Sequence, residues 1–425
     1  MPSDEAVRLA ASWGEAPRNG KGAWLRARLI AAIREGWLNA GDTIPGARDL
    51  ASALDVSRGT VDSVYSQLSA EGFIEQAPRR RPAVMAAPGA GPAVPSMPAS
   101  AAPPPTPGVP DPSLFPHRAW SAAARTALAR LGPDDLGYPD PSGHPHLRLV
   151  LAEWLRRTRG VAAEPDDVHV TAGVAHAMAL LADVLGAETW ALERPGSPGS
   201  THMMRQLVDV RQVPVDASGL VPEAIPPGAG AVLVTPTHQY PTGVLMPADR
   251  RRALVETSGA AGRWVIEDDW DSQMAPPSVP SAMQALAPET VILIGSVSKS
   301  IAPGIRLGWI VSPPSVAERL KDARQRTDLG VSVFVQLTVA ELISSGGLDR
   351  HIRRARAEYE RRRARLEELV RPYGPLIGLP GAVHAFVQTA SPEPVVADMN
   401  RRGIPTVVVD DEHHPGVLVS VAACK

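Results

Sequence analysis

The chain of 425 residues contains one cysteine, Cys424, beside its last residue. A lone thiol can form no disulfide within the chain, which fits a reducing cytoplasm. Long apolar runs are also missing. No stretch reaches 18 consecutive apolar residues, so no membrane-spanning helix and no membrane partner are expected. The opening MPSDEAVRLAASWG lacks a basic segment followed by an apolar one, so no signal peptide is expected and the location is read as cytoplasmic. Neither sign of charge is in excess: 43 Lys and Arg against 45 Asp and Glu leave a net charge of −2. No global basic field advertises nucleic acid, so any DNA-binding surface has to be local. GxxxxGK[ST] and HExxH are both absent, which leaves P-loop nucleotide hydrolysis and zinc proteolysis without support.

What is present bounds the architecture. Hydrophobic residues make up 44% of the chain, enough for a real core, and the length implies two or three domains. Proline is abundant at 44 residues, and much of it falls within Pro82–Pro112, PAVMAAPGAGPAVPSMPASAAPPPTPGVPDP. That stretch has almost no charge and no apolar period, so it reads as a partly extended, mobile tether. It separates a small unit, 1–81, from a large one, 113–425.

In the small unit, Trp24–Trp37 places Leu25, Leu29, Ile30 and Ile33 at helical spacing. Ala47–Leu54 reads as a short second helix, followed by a tight turn at Asp55–Val56. Ser57 is the N-cap of a third helix, Arg58–Glu71, whose Val61, Val64, Tyr65 and Leu68 face a core. Gly72 stops it, and Phe73–Ile74 starts a small wing. Two helices joined by a short turn make a helix-turn-helix, which puts Ser57, Arg58, Gly59 and Thr60 at base edges in a major groove. The same apolar periods would serve a dimerisation module. Arginines at the turn and at the helix start favour DNA, because a core has no use for them.

In the large unit, ILIGSVSKSIAPGIRLGW (Ile292–Trp309) sets a lysine among hydroxyls after an apolar run, with an arginine seven residues on. This arrangement suits a Schiff base between Lys299 and pyridoxal 5′-phosphate. A desolvated lysine is neutral enough to react, and Ser296, Ser298 and Arg306 suit a phosphate. Read alone, the SxSK tetrapeptide fits the lysine of a surface turn better. Its context shifts that balance. WVIEDDWD (Trp264–Asp271) is a strand ending in carboxylates, one of which can hold a pyridine nitrogen protonated. VHVTAGVAHAM (Val168–Met178) reads as strand, glycine turn and helix start, a geometry that offers backbone N–H groups to an anion.

With YPDPSGHPHLR (Tyr138–Arg148), TPTHQYPTG (Thr235–Gly243) and LDRHIRRAR (Leu348–Arg356), these segments resemble the fold-type I aminotransferases. In detail they resemble the aminotransferase-like domain of MocR-type regulators in the GntR superfamily. The segment GDTIPGARDLASALDVSRGTVDSVYSQLSAEGFI (Gly41–Ile74) resembles the GntR winged helix-turn-helix. The resemblance implies an α/β fold: an N-terminal winged helix-turn-helix plus a mixed, mostly parallel sheet flanked by helices. It implies that Arg48, Arg58 and Thr60 contact DNA, that Lys299 carries the Schiff base, and that Asp268 faces the pyridine nitrogen. It further places Arg306, Ser296, Ser298, Gly173 and Val174 at the phosphate. Tyr138 matches an aromatic that enters the neighbouring subunit's site; locally it is equally a packed turn tyrosine.

The chain departs from the family at four places. Gly46–Ala47 replaces paired serines before Arg48. The wing tip is Pro78-Arg79-Arg80-Arg81-Pro82, where Arg79, Arg80 and Arg81 either contact the minor groove and phosphates or form a solvated start to the linker. Trp270 stands where a tyrosine bonds the cofactor's phenolic oxygen, and an indole N–H donates but cannot accept. After Arg402 there is no arginine to grip a substrate carboxylate, and the expected position near Gly416–Ala422 is vacant. His413 and His414 could stand in as partial cations, but DDEHHPG reads first as an exposed loop. The basic run His351–Leu369 either touches DNA or, by its Glu/Arg pairs, forms an amphipathic helix with a solvated face.

Two functions follow. One is a transcription regulator that reads a double-stranded DNA operator as a homodimer and senses a small amine, an amino acid or pyridoxal 5′-phosphate itself. The other is a working aminotransferase with an appended DNA-binding module. The vacant carboxylate position and Trp270 favour the first, since substrate positioning is where turnover would fail. A large domain that has lost its cofactor and only dimerises is a third reading.

Overall fold

In the computed structural model, which describes residues 3–77, 80–85 and 106–425, the chain divides into two units, Met1–Pro103 and Pro104–Lys425. The first contains helices Asp4–Trp13, Lys21–Arg34, Ala47–Leu54 and Arg58–Ala70. A two-stranded wing follows, β1 (Ile74–Glu75) antiparallel to β2 (Ala83–Val84). Leu25, Leu29, Leu50, Val61, Leu68 and Ile74 form its core. The Ser57 hydroxyl accepts from the Thr60 backbone N–H at 3.0 Å, so the third helix starts where its N-cap dictates. Asp55, at φ 50°, closes the preceding helix in the left-handed region. The helix Asp4–Trp13 has no counterpart among the sequence-based expectations. It buries Trp13 in the same core, and Ser3 caps its start.

The boundaries of the expected linker shift at both ends. Ala83–Val84 belongs to the wing, because Ile74 and Glu75 pair with it. Residues 106–112 belong to the large unit. There Pro107, Gly108, Pro110 and Asp111 are buried, and the Asp111 carboxylate pairs with Arg362 at 2.9 Å. The Asp111 backbone N–H donates to the Tyr359 hydroxyl at 3.0 Å. Composition marks this end of the stretch as a tether, but a buried ion pair holds it as a strap on the large unit.

The large unit is built on an eight-stranded sheet. Its strands are β3 (Val168–Thr171), β4 (Thr189–Arg194), β5 (Asp209–Asp216), β6 (Gly219–Leu220), β7 (Ala231–Val234), β8 (Trp264–Asp268), β9 (Val291–Ser296) and β10 (Gly308–Val311). They lie in the order β3-β10-β9-β8-β7-β4-β5-β6. The central strands run parallel; β10 is antiparallel to both neighbours and β6 to β5. AVLV and VILIGS are buried at every residue, as expected for strands covered on both faces. Alternation sorts their side chains. Ile266 and Ile292 pack with the helices Val174–Val184 and Pro314–Thr327. Val265 and Val291 pack on the opposite face with Leu254 and Val255 of Ala248–Ala260.

A second sheet, in the order β11-β12-β14-β13, closes the C-terminal end: β11 (Leu376–Ile377), β12 (His384–Gln388), β13 (Thr406–Val409) and β14 (Gly416–Ser420). Between the sheets, the basic run forms the helix Gly347–Val370. It buries Ile352, Tyr359, Leu366 and Val370 and ties Arg362 to Glu358 and Asp111. No described helix is long and apolar enough to cross a membrane.

Candidate functional site

Ligands of open α/β sheets collect at the carboxyl ends of the parallel strands. Here β4, β7, β8 and β9 end beside one cleft of about 390 Å³. Lys299, Asp268, Trp270, Ser296, Ser298, Arg306 and Val174 all line it, and Gly173 stands directly against the Arg306 guanidinium. Residues from Gly173 to Arg306 thus meet at one place.

Lys299 follows β9. Burial pushes its ammonium below the usual lysine range, while the carboxylates of Asp271 and Asp268 oppose that shift. The Lys299 Nζ donates to the Gly108 carbonyl of the strap at 2.7 Å, and it lies 5.7 Å from the centre of the Trp270 ring. Asp268 ends β8. Burial raises its carboxyl well above the ordinary range, and the carboxylates of Asp269, Asp271 and Glu193 add to the rise. Its Oδ1 is buried without a hydrogen-bond partner. A carboxyl in that state lacks a cationic donor, and a pyridinium N–H would supply one.

The anion end is built from backbone. Gly173, at φ 108°, turns β3 into the helix Val174–Val184. A Cβ there would stand 3.2 Å from an Arg306 guanidinium nitrogen, so glycine is needed for both the turn and the close approach. Arg306 itself sits in the left-handed region at φ 55°. It is the one guanidinium lining the cleft among the described residues, and no carboxylate pairs with it there. Ser296 accepts from the Ser298 backbone N–H at 3.3 Å. A free guanidinium, two serines and a helix N-terminus fit a phosphate. With the unpartnered Asp268, these residues fit pyridoxal 5′-phosphate.

Other expectations change. The Trp270 ring walls the cleft, but its indole N–H donates to the His238 carbonyl at 3.0 Å and so is turned from any ligand. The Tyr240 hydroxyl, in the same cleft, has no partner among the described residues. Tyr138 is 90% exposed and does not line its own chain's cleft, which excludes local packing. His413 and His414 lie in a turn where the Asp411 carboxylate accepts from both backbone N–H groups, and neither lines the cleft. On the small unit, Arg48, Arg58, Arg80 and Arg81 are exposed. Arg58 makes only a loose pair with Asp62 at 3.4 Å. The Ser57 and Thr60 hydroxyls bond each other at 2.8 Å and serve the cap. Arg79 lies outside the described residues.

Sequence reasoning passed over Gly108, Glu193, Tyr240 and His384, all of which line the cleft. The available signals were Gly-Val-Pro-Asp closing the proline-rich stretch and a lone histidine entering an apolar strand. Glu193 accepts from the Thr235 hydroxyl at 2.5 Å and from Gln239. Burial nonetheless raises it to about 7, from the usual 4.5 of a glutamate. Between those values the folded state holds a proton that the unfolded chain releases. The stabilisation is therefore complete below the lower value and is lost as the pH rises through the upper one. Glu193→Gln is expected to flatten part of that fall, leaving the parallel contribution of Glu267, also near 7. Urea unfolding on either side of the window checks this, and an unchanged slope would remove Glu193 from the account.

Family comparisons agree with the geometry. Residues 110–389 match the aminotransferase class I and II family, and residues 23–84 match the gntR family of bacterial regulatory proteins. The chain is 35% identical over 400 residues to the HTH-type pyridoxine biosynthesis transcriptional regulator PdxR of Corynebacterium glutamicum, covering 89% of this chain and 84% of that one. It is 33% identical over 366 residues to the probable rhizopine catabolism regulatory protein MocR of Rhizobium meliloti, covering 79% and 74%. A kynurenine aminotransferase from Pyrococcus horikoshii shares the fold of the large unit, with TM-score 0.67, 24% identity and coverage of 75% of this chain and 85% of that one. Continuous similarity across the winged helix and the pyridoxal phosphate fold places this chain among the MocR-type transcriptional regulators of the GntR superfamily.

Proposed function

We propose that this regulator binds its operator as a cytoplasmic homodimer and reports whether its cleft holds pyridoxal 5′-phosphate. The observation that carries this reading is the lining of the cleft. It holds an amine, an unpartnered carboxyl and one free guanidinium, and among the described lining residues there is no second guanidinium for a substrate carboxylate. One phosphate site without a carboxylate clamp suits the vitamin form itself better than an amino-acid substrate, and a relative's name ties that protein to pyridoxine biosynthesis. The bound cofactor supplies an aldehyde for a neutral amine to condense with. Asp268 holds the ring nitrogen, and Arg306 with Ser296, Ser298 and the Gly173–Val174 turn holds the phosphate. The exposed Tyr138 is available to a second subunit's cleft.

The signal leaves through the strap. When Lys299 engages a ligand, its Nζ gives up the bond to Gly108, and the chain from Gly108 leads back toward the winged helix. A differential affinity of the ligand for the two strap states then shifts operator binding. The test is operator affinity with and without pyridoxal 5′-phosphate, alongside borohydride reduction and peptide mapping. A stable adduct on Lys299 and a ligand-dependent change in affinity are expected; no adduct at saturating cofactor would end the reading. On the DNA side, Arg58→Ala is expected to weaken operator binding by roughly 1–3 kcal/mol with cofactor content unchanged. Titration of labelled operator at fixed salt decides it, and equal affinities would take Arg58 out of the interface.

A further inference from the structure

His384 opens β12, is fully buried, and has no hydrogen-bond partner at either ring nitrogen. A neutral imidazole carries one donor and one acceptor, and burying both unpaired is costly. The ring cannot swing away to find partners. It lies nearly parallel to Trp270 at 5.1 Å and 6°, and to His238 at 5.0 Å and 19°, with Tyr240 edge-on at 5.5 Å. Packing alone does not explain a histidine here, because phenylalanine would fill the stack without unpaired nitrogens.

Its surroundings point to a ligand. His384 lines the cleft. A Cβ added at Gly108 would stand 3.5 Å from its Nδ1 and 3.8 Å from the Lys299 Nζ, so the imidazole and the reactive amine converge on one spot beneath the strap. Burial, with His238 and Lys299 close by adding to the effect, holds the ring in its neutral form. The cleft already has its cation in Arg306. A neutral donor and acceptor beside the amine is matched by an uncharged hydroxyl or carbonyl. A carboxylate there would call for a guanidinium.

We propose that His384 is a specificity-determining contact of this cleft, hydrogen-bonding an uncharged polar group of a phosphorylated hydroxypyridine and favouring ligands without a carboxylate. This rests on the reading that the cleft takes pyridoxal 5′-phosphate. The test uses the full chain and two probes: pyridoxal 5′-phosphate and its 4′-deoxy analogue, which lacks the aldehyde and cannot bond to Lys299.

His384→Phe is expected to weaken both probes by roughly five- to tenfold, while His384→Gln, which keeps a donor and an acceptor, stays within about twofold of the parent. The Phe variant without ligand is expected to melt at a higher temperature, since it removes two unpaired buried atoms. A merely structural histidine would not raise stability and lower affinity together. Unchanged affinity in the Phe variant, or equal losses in Phe and Gln, would overturn the proposal. Parent protein that binds the deoxy analogue but forms no adduct overturns the Lys299 reading and leaves the His384 comparison intact. Parent protein that binds neither probe overturns both.

Discussion

Protein carrying Lys299→Ala is expected to bind its operator equally well with and without pyridoxal 5′-phosphate. The parent is expected to show a change within the usual range of coupling between sites, about 5- to 150-fold. The basis is local. The Lys299 Nζ is at once the reactive amine of the cleft and the donor that holds the Gly108 carbonyl at 2.7 Å. Alanine removes both, so the strap loses its ligand-dependent partner while the winged helix keeps every exposed arginine. Its operator affinity should sit at that of the liganded parent, because the bond to Gly108 is lost in both, and borohydride should leave no adduct. Fluorescence anisotropy with labelled operator, run with and without cofactor, reads the result directly. A variant that still responds like the parent would show that the ligand acts through some other contact.

Arg159→Met is expected to destabilise the large unit by about 3–5 kcal/mol. Arg159 and Asp269 are both buried and meet two-pronged, with Nε to Oδ2 at 2.9 Å and Nη2 to Oδ1 at 3.0 Å. Arg159 also donates to the Pro280 carbonyl and the Thr237 hydroxyl. Removing the guanidinium leaves the Asp269 carboxylate buried beside Asp268 and Asp271, where burial already raises both neighbours. The loop that carries Asp268 and Trp270 then loses its anchor. Urea unfolding of the large unit measures the loss. Arg159→Met combined with Asp269→Leu should recover much of it, because the stranded charge is gone. If the double variant is no better than the single, the cost lies in packing and not in the unpaired carboxylate.

Much of the cleft was legible in the chain. Short motifs with a strict local geometry announce themselves: Ser296-Val297-Ser298-Lys299 after a buried strand, Asp268 at a strand end, Gly173 between strand and helix. The winged helix was equally legible, since Ser57 caps in place and Val61, Val64, Tyr65 and Leu68 are buried as their spacing requires. Residues whose role depends on distant partners were not. Gly108 stands among prolines that read as tether, and only contacts made far along the chain hold it in place: Asp111 pairs with Arg362, and Lys299 Nζ donates to the Gly108 carbonyl. Trp270 reads as a departure from a cofactor-bonding tyrosine, and only the fold shows where its N–H goes: the loop after β7 brings the His238 carbonyl to it.

The sequence alone determined the two folded units, the family, and the chemical types at the cleft: amine, carboxyl, guanidinium and hydroxyls. Periodicity, capping and turn chemistry act over a few residues, and a run of motifs in order specifies a fold. Tertiary structure alone decided which of these groups are free. It turned the Trp270 N–H away, kept His413 and His414 out of the cleft, and left Asp268 and His384 buried with unpaired atoms. Burial and hydrogen-bond partnership are properties of neighbours in space, and those neighbours come from β4, β7, β8, β9, β12 and the strap only once the two sheets have closed on one another.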